Sequence, residues 1–525
     1  MITYTIFCVY LRTFMHESSQ GIEGKAIHTA EALQNRSLEL ITPAERRRQD
    51  ELERLVQDAH GKSTLTMLTD RSFRSDDPKL VADQFVDVLE QHGIPQFFGA
   101  IDKGLLKAFQ ILIKNIGIPP KYLVPFIKRG VMDRAQEVII PGEEEQLDQK
   151  LRERQAEQVK MNLNHLGDMV LGDDEAEAHM DTYKADLENP LIDYISVKIS
   201  TLYPHIHSLP FDHTVENICS KLAELFDAAQ KNLTDGGKSK FINLDMEEYR
   251  DLELTLAAFI QTLDRPEYKD VSAGIVLQAY LPDSFKYQKE LTEWARGRVE
   301  EGGTPVKLRI VKGANMAMEQ VDASAHGWEQ APFKQKVDTD SNYYRMVEYG
   351  MRPENIHAVN LGVASHNLLS IAHAYELGTE REVQDYFTFE MLEGMANHNR
   401  LAVQEMLGQQ VVLYAPAAKK TEILSALGYL MRRLDENTSP ENYLSRSFGL
   451  AVGSPDWNFL VDQYKQAHGS VGSIPETARR TQNRLTESHE PLSLEEPFVN
   501  EPNTDFSLKP NRKWAEQAIQ NERSV

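Results

Sequence analysis

"GIVLQAYLPDSFKYQKELTEWARGRVEEGGTPVKLRIVKGAN", residues 274–315, holds two short apolar runs, at 274–281 and 306–313, with a helical stretch between them. Strands that alternate with helices pair in parallel, because the crossover returns each strand to the same end of the sheet. Working outward, the same texture recurs in "VKMNLNHL" (159–166), "YISVKIS" (194–200), "KFINLDM" (240–246), "IHAVNLGVAS" (356–365), "YFTFEML" (386–392) and "QVVLYAP" (410–416). Eight such units over roughly 300 residues predict a closed β/α barrel rather than an open sheet.

Before the barrel, residues 1–158 predict a helical arm. "TPAERRRQDELERLVQ" offers Thr42 as N-cap, Pro43 at the first helical position and Glu45 to close a capping box. "DDPKLVADQFVDVLEQHG" predicts a second helix ending at Gly93, and "GEEEQLDQKLRERQAEQ" a solvated helix that separates arm from barrel. After about 460 the chain turns polar and proline-spaced, which predicts a linker or tail over 461–525 with little to bury.

The 525 residues carry a formal net charge of -23, which repels phosphate backbones, so no nucleic-acid partner is expected. The two cysteines, Cys8 and Cys219, are too few for a disulfide framework and fit a reducing cytoplasm. "MITYTIFCVYLRTFM" is a short apolar run broken by Arg12; it supports neither a signal peptide nor a membrane span.

Several motifs fail on inspection. "GKST" (61–64) lacks the earlier glycine of a phosphate loop, Val56 standing there, and reads as a loop with helix-capping hydroxyls. His366, His373 and His398 show no metal-ligand spacing, so no metal is expected. There is neither a GxGxxG nor a GxSxG motif.

Barrel enzymes place reacting groups where strands end. Lys198, Asp245, Lys312, His366, Glu390 and Tyr414 lie in or just past the ends of six of the eight strands, and Lys198 and Asp245 interrupt apolar runs, where a buried charge demands a partner. Arg309 adds a second cation beside Lys312, and Gly313 and Ala314 let a ligand approach the backbone, as a phosphate-bearing cofactor requires. In "TEILSALGYLMRRLDEN" (421–437), Tyr429, Arg432, Arg433 and Glu436 share one helical stripe, and Ile423, Leu427, Leu430 and Leu434 form another that should pack on the barrel. Two guanidiniums with an acid one turn on can grip a small carboxylate.

"LRIVKGAN", "ASHNLL", "FEMLEGMA", "LYAPAA" and "YLMRRLDENTSPENYL" resemble the proline dehydrogenase domain of bacterial bifunctional proline utilization flavoproteins, over about 159–460 and in strand order. The resemblance implies a distorted (β/α)8 TIM-like barrel that binds FAD and oxidises L-proline to Δ1-pyrroline-5-carboxylate by hydride transfer from C5 to flavin N5. By that resemblance Arg432 and Arg433 hold the proline carboxylate, Glu436 orients an arginine and Tyr429 packs on the ring, with Lys198, Asp245, Ala314, Leu392 and Tyr414 completing the pocket. Gln278, Arg309, Lys312, Gly313, Ala314, Lys336, Ser365, His366, Asn367 and Glu390 line FAD, Arg309 near N5. Electrons pass to a membrane quinone, which implies peripheral contact from the cytoplasm, and the chain is expected to be a homo-oligomer.

Familiar members carry an aromatic pair after "KGA" and a threonine before "HN"; this chain has Asn315, Met316 and Ser365. "FVNEPNTDFSLKPNRKWAEQ" (498–517) resembles the entrance to an aldehyde dehydrogenase half, yet neither cysteine lies in such a motif. The second reaction is then expected to be absent from this stretch of chain, its half either truncated or supplied as a separate pyrroline-5-carboxylate dehydrogenase. Two other readings stay open: a flavin barrel for hydroxyproline, which Tyr429 should crowd, and an inactive barrel kept for assembly.

Overall fold

The computed structural model describes residues 21–136, 138–167, 170–234, 239–438, 442–488 and 500–523; the side chains of Val56, 132–135, 232–234, Ile423, 435–438, 522 and 523 lie outside that description. The apolar run at the start, with Cys8, and the side chain of Glu436 therefore fall outside the described residues.

All eight apolar runs form strands: β2 (Lys160–His165), β3 (Tyr194–Lys198), β4 (Phe241–Asp245), β5 (Ala273–Gln278), β6 (Val306–Val311), β7 (Val359–Ala364), β8 (Phe387–Leu392) and β9 (Val411–Ala418). A two-residue strand, β1 (Ile140–Pro141), which the sequence reading missed, pairs with Ala417 and Ala418. Every pairing is parallel, and β9 bonds to both β8 and β2, which closes the barrel.

Alternation within each strand separates two environments. In β6, Val306, Leu308 and Ile310 are buried, and each such side chain contributes about 1.5–3 kcal/mol. Lys307 and Arg309 fall on the opposite face, where both reach Glu390 of β8 across the barrel interior. The interior is thus polar, lined also by Asn162, Ser196 and Asn243, all fully buried.

The capping box forms: the Glu45 backbone N–H donates to Thr42 Oγ1 (3.2 Å), and the Thr42 backbone N–H donates to Glu45 Oε2 (2.9 Å). The helix Pro78–His92 ends at Gly93, whose φ of 77° suits glycine. "GKST" is no loop: it lies inside the helix Ala59–Ser72, whose cap is Asp58, the Gly61 N–H donating to its carboxylate at 2.8 Å.

The helix Glu144–Ala156 is not solvated throughout. Leu147 and Leu151 join the barrel core, and Arg154, one turn on along the same stripe, is buried and donates through Nε to Glu393 at 3.1 Å. Its charged composition hides that stripe. Past 460 the chain is no bare linker: Val461, Tyr464 and Ala467 join the barrel core, and Arg480, its side chain 2% exposed, lies 3.5 Å from both Glu319 and Asp505. No helix among the described residues is long and apolar enough to cross a membrane.

Candidate active site

Arg309 is the hub of the barrel floor. Its Nε donates to Glu390 (2.5 Å), one Nη donates to Asp245 (2.9 Å), and the other reaches the Tyr194 hydroxyl at 3.3 Å. Asp245 also accepts from the Tyr414 hydroxyl at 2.8 Å, and the Tyr414 ring lies under the guanidinium at 5.3 Å. Burial pushes the Glu390 carboxyl up, but Arg309 and Lys307 outweigh it and hold the group below the usual carboxylate range. Burial, with Asp245 beside it, keeps Tyr414 protonated.

Glycine is required at Gly362, which faces Arg309 across the β6–β7 ladder: a Cβ there would stand 2.3 Å from a Glu390 oxygen. Around the rim, Lys198 pairs with Glu247 at 3.3 Å, and Gln278 donates to the Glu247 carbonyl at 3.0 Å. Lys312 lies 2.7 Å from Asp340, which also pairs with Lys336. Two ammoniums around one carboxylate leave one positive charge in excess, suited to a phosphate. Gly313 has φ 129°, and a Cβ there would strike the Tyr280 ring at 2.4 Å. Ala314 beside it is exposed.

His366 receives the Leu392 backbone N–H on Nε2 at 3.0 Å. Burial, reinforced by Arg433 and His398, pushes its pKa down to about 4, so the ring is neutral at pH 7 and its proton resides on Nδ1. Ser365 Oγ accepts from the Asn367 N–H at 3.0 Å, and Asn367 caps the helix Leu368–Glu380. The residues that depart from the family's familiar pattern are also engaged: Asn315 donates to the Glu247 carbonyl at 2.9 Å, and Met316 Sδ accepts from Gln330.

The helix Ile423–Thr438 follows β9 and leans on this rim. Arg433 stacks over Tyr429 at 4.9 Å, its charge reaches His366, and Tyr429 lies near enough to Tyr414 to act on it electrostatically. Arg432, on the same helix, is exposed. The expected apolar stripe packs on the barrel only in part: Leu427 enters the arm's own core beside Phe85, Phe109 and Val124, while Leu430 borders both that core and the cluster in which Ala426 and Tyr429 meet Ala418 at the end of β9. The arm presents a large apolar face of its own, and Leu427 is drawn to it.

Sequence reasoning overlooked Lys307, Glu247 and Asp340. Lys307 was detectable at i, i+2 from Arg309, and Asp340 at i, i+4 from Lys336 on a helix. Glu247 gave no such signal.

The mouth fits a flavin nucleotide. Two buried polar atoms, Gln278 Oε1 and His366 Nδ1, have no hydrogen-bond partner among the described residues, which suits a ligand carrying amide donors and acceptors. Lys312 and Lys336 suit its phosphates.

A family model described as proline dehydrogenase matches residues 147–446, from before β2 to past the arginine pair. Among solved structures, Proline Utilization A from Corynebacterium freiburgense is 33% identical with a TM-score of 0.62, over 75% of this chain and 38% of that one. Proline Utilization A from Bdellovibrio bacteriovorus, inactivated by N-propargylglycine, is 24% identical with a TM-score of 0.74, over 96% and 48% of the two chains. A Bradyrhizobium japonicum Proline Utilization A variant shares the fold at 21% identity and TM-score 0.62, over 97% and 52%. This chain thus spans about half the length of those proteins or less. Comparison with curated proteins gives no match.

Proposed function

The chain belongs to the proline dehydrogenase family, and from that premise we propose that it oxidises L-proline to Δ1-pyrroline-5-carboxylate with FAD held in the barrel mouth. The observation that carries this reading is the placement of Arg433 beside His366, above a floor made by Arg309, Glu390, Asp245 and Tyr414. When bound, the flavin supplies the two-electron acceptor for the hydride at the carbon next to nitrogen.

The protein's own residues bind, orient and exclude. Arg432 and Arg433 grip the proline carboxylate, with Glu436 steadying one of them, which fixes the ring before reaction and removes much of its orientational entropy. Tyr429 and Leu392 wall the ring; Lys198, Asp245, Ala314 and Tyr414 close the pocket. Gln278, Arg309, Lys312, Gly313, Lys336, Ser365, His366, Asn367 and Glu390 hold the cofactor, His366 through the proton on Nδ1.

Electrons leave to a membrane quinone by peripheral contact from the cytoplasm, and a pyrroline-5-carboxylate dehydrogenase consumes the product. Residues 159–460 form the catalytic barrel in this reading, 461–525 the entrance to a further half, and 1–158 an arm for self-association. Ile101 and Leu105, then Tyr122 and Phe126, lie exposed at i, i+4 on two arm helices, which supports a homo-oligomer; a monomeric mass in sedimentation equilibrium contradicts it.

Turnover tests the whole reading. The purified, FAD-loaded chain should convert L-proline to Δ1-pyrroline-5-carboxylate with a soluble quinone analogue, and should handle 4-hydroxyproline more slowly because Tyr429 crowds the ring. No product from L-proline overturns the assignment; equal rates on both substrates remove Tyr429 from the wall.

A further inference from the structure

Well away from the barrel mouth, the outer helices bring together three groups that the proposed reaction does not use. Glu348 lies toward the end of the helix Lys336–Gly350, about 18 Å along that helix from Lys336. His373 comes from the helix Leu368–Glu380 and His468 from Pro455–Gly469. Their ligand atoms all lie within 4.8 Å of one another. Three separate helices supply them, so no local spacing announced the cluster.

The two imidazoles are set alike. His373 Nδ1 is 3.0 Å from the Tyr464 hydroxyl, and its Nε2 faces Glu348 Oε1 at 3.7 Å. His468 Nδ1 is 3.7 Å from Glu23, on the first arm helix, and its Nε2 is 3.4 Å from the same Glu348 oxygen. Each ring therefore has an orienting partner on one nitrogen and turns the other toward a shared point, the arrangement metal-binding histidines adopt.

An ion pair between His468 and Glu348 accounts for only part of this. His373 is 0% exposed, and its Nε2 is buried with no hydrogen-bond partner among the described residues, 3.7 Å from a carboxylate oxygen it does not bond. Leaving such an atom unsatisfied is costly. Tetrahedral bonds of 2.0–2.1 Å set neighbouring ligand atoms about 3.4 Å apart, close to the two separations seen.

We propose that Glu348, His373 and His468 bind one divalent transition metal, with Tyr464 and Glu23 as positioning residues. Two neutral imidazoles and a carboxylate match Zn2+. Glu348 and His468 are 30% and 27% exposed, so solvent can fill a fourth position. The metal would fasten the helix Pro455–Gly469 and the first arm helix to the barrel shell.

The test uses the full chain, stripped with chelator and dialysed against graded Zn2+, with bound metal measured by mass spectrometry. The wild type should hold one Zn2+ per chain more than His468→Gln, a substitution at a partly exposed position. Tyr464→Phe keeps the ring packing and should weaken Zn2+ binding by about 10–100-fold. Equal uptake by wild type and His468→Gln, or an unchanged affinity in Tyr464→Phe, overturns the proposal.

Discussion

Arg432→Met raises KM for L-proline by about 100-fold while the purified protein stays yellow, and Arg433→Met does the same. The magnitude follows from losing charged hydrogen bonds worth about 3 kcal/mol, at 1.4 kcal/mol per tenfold. Methionine keeps much of the side chain's length and apolar body, so the helix Ile423–Thr438 should hold its place. That helix is held by Leu427 and Leu430 in the arm's core. Flavin content is untouched because no cofactor-holding residue is altered. Steady-state kinetics beside an absorbance spectrum check both halves: unchanged KM, or a colourless protein, removes the pair from the role of carboxylate clamp.

Glu390→Gln destabilises the fold by about 3–5 kcal/mol, because it leaves two buried cations without their counter-charge. Lys307 is 2.5 Å from one Glu390 oxygen and Arg309 is 2.5 Å from the other, all three groups being largely buried. The effect has a pH signature. Because Lys307 and Arg309 hold the folded-state pKa of Glu390 below its ordinary 4.5 despite burial, its contribution is present above that value and lost as pH falls through the folded one. Urea melts should therefore show the wild type approaching Glu390→Gln in stability below about pH 4.5 and exceeding it at pH 7. A variant within about 0.5 kcal/mol of wild type at pH 7 behaves as a surface substitution, and the buried network would carry no weight.

The barrel was legible because its strands are short apolar runs bounded by helices, a signal that survives without any tertiary knowledge. "GIVLQAYL" and "VKLRIVKG" became β5 and β6 within a few residues at their ends. What escaped was tertiary. Arg154 and Arg480 read as solvated charges, yet each is buried against acids far away in sequence, Glu393 in one case and Glu319 with Asp505 in the other. Leu427 faced the arm rather than the barrel because helical periodicity marks an apolar face without naming its neighbour. In the site, residues at strand ends could be found from position alone, and Asp245, Arg309, Glu390 and Tyr414 do meet. Glu247 could not, since it sits past β4 and meets Lys198 only because β3 and β4 lie side by side in register.

The most direct measurement is anaerobic absorbance. The yellow protein, mixed with L-proline in the absence of any other acceptor, should lose its visible flavin band as electrons arrive, and recover it when a quinone analogue is added. A flavin band that persists under saturating L-proline contradicts the account at its centre.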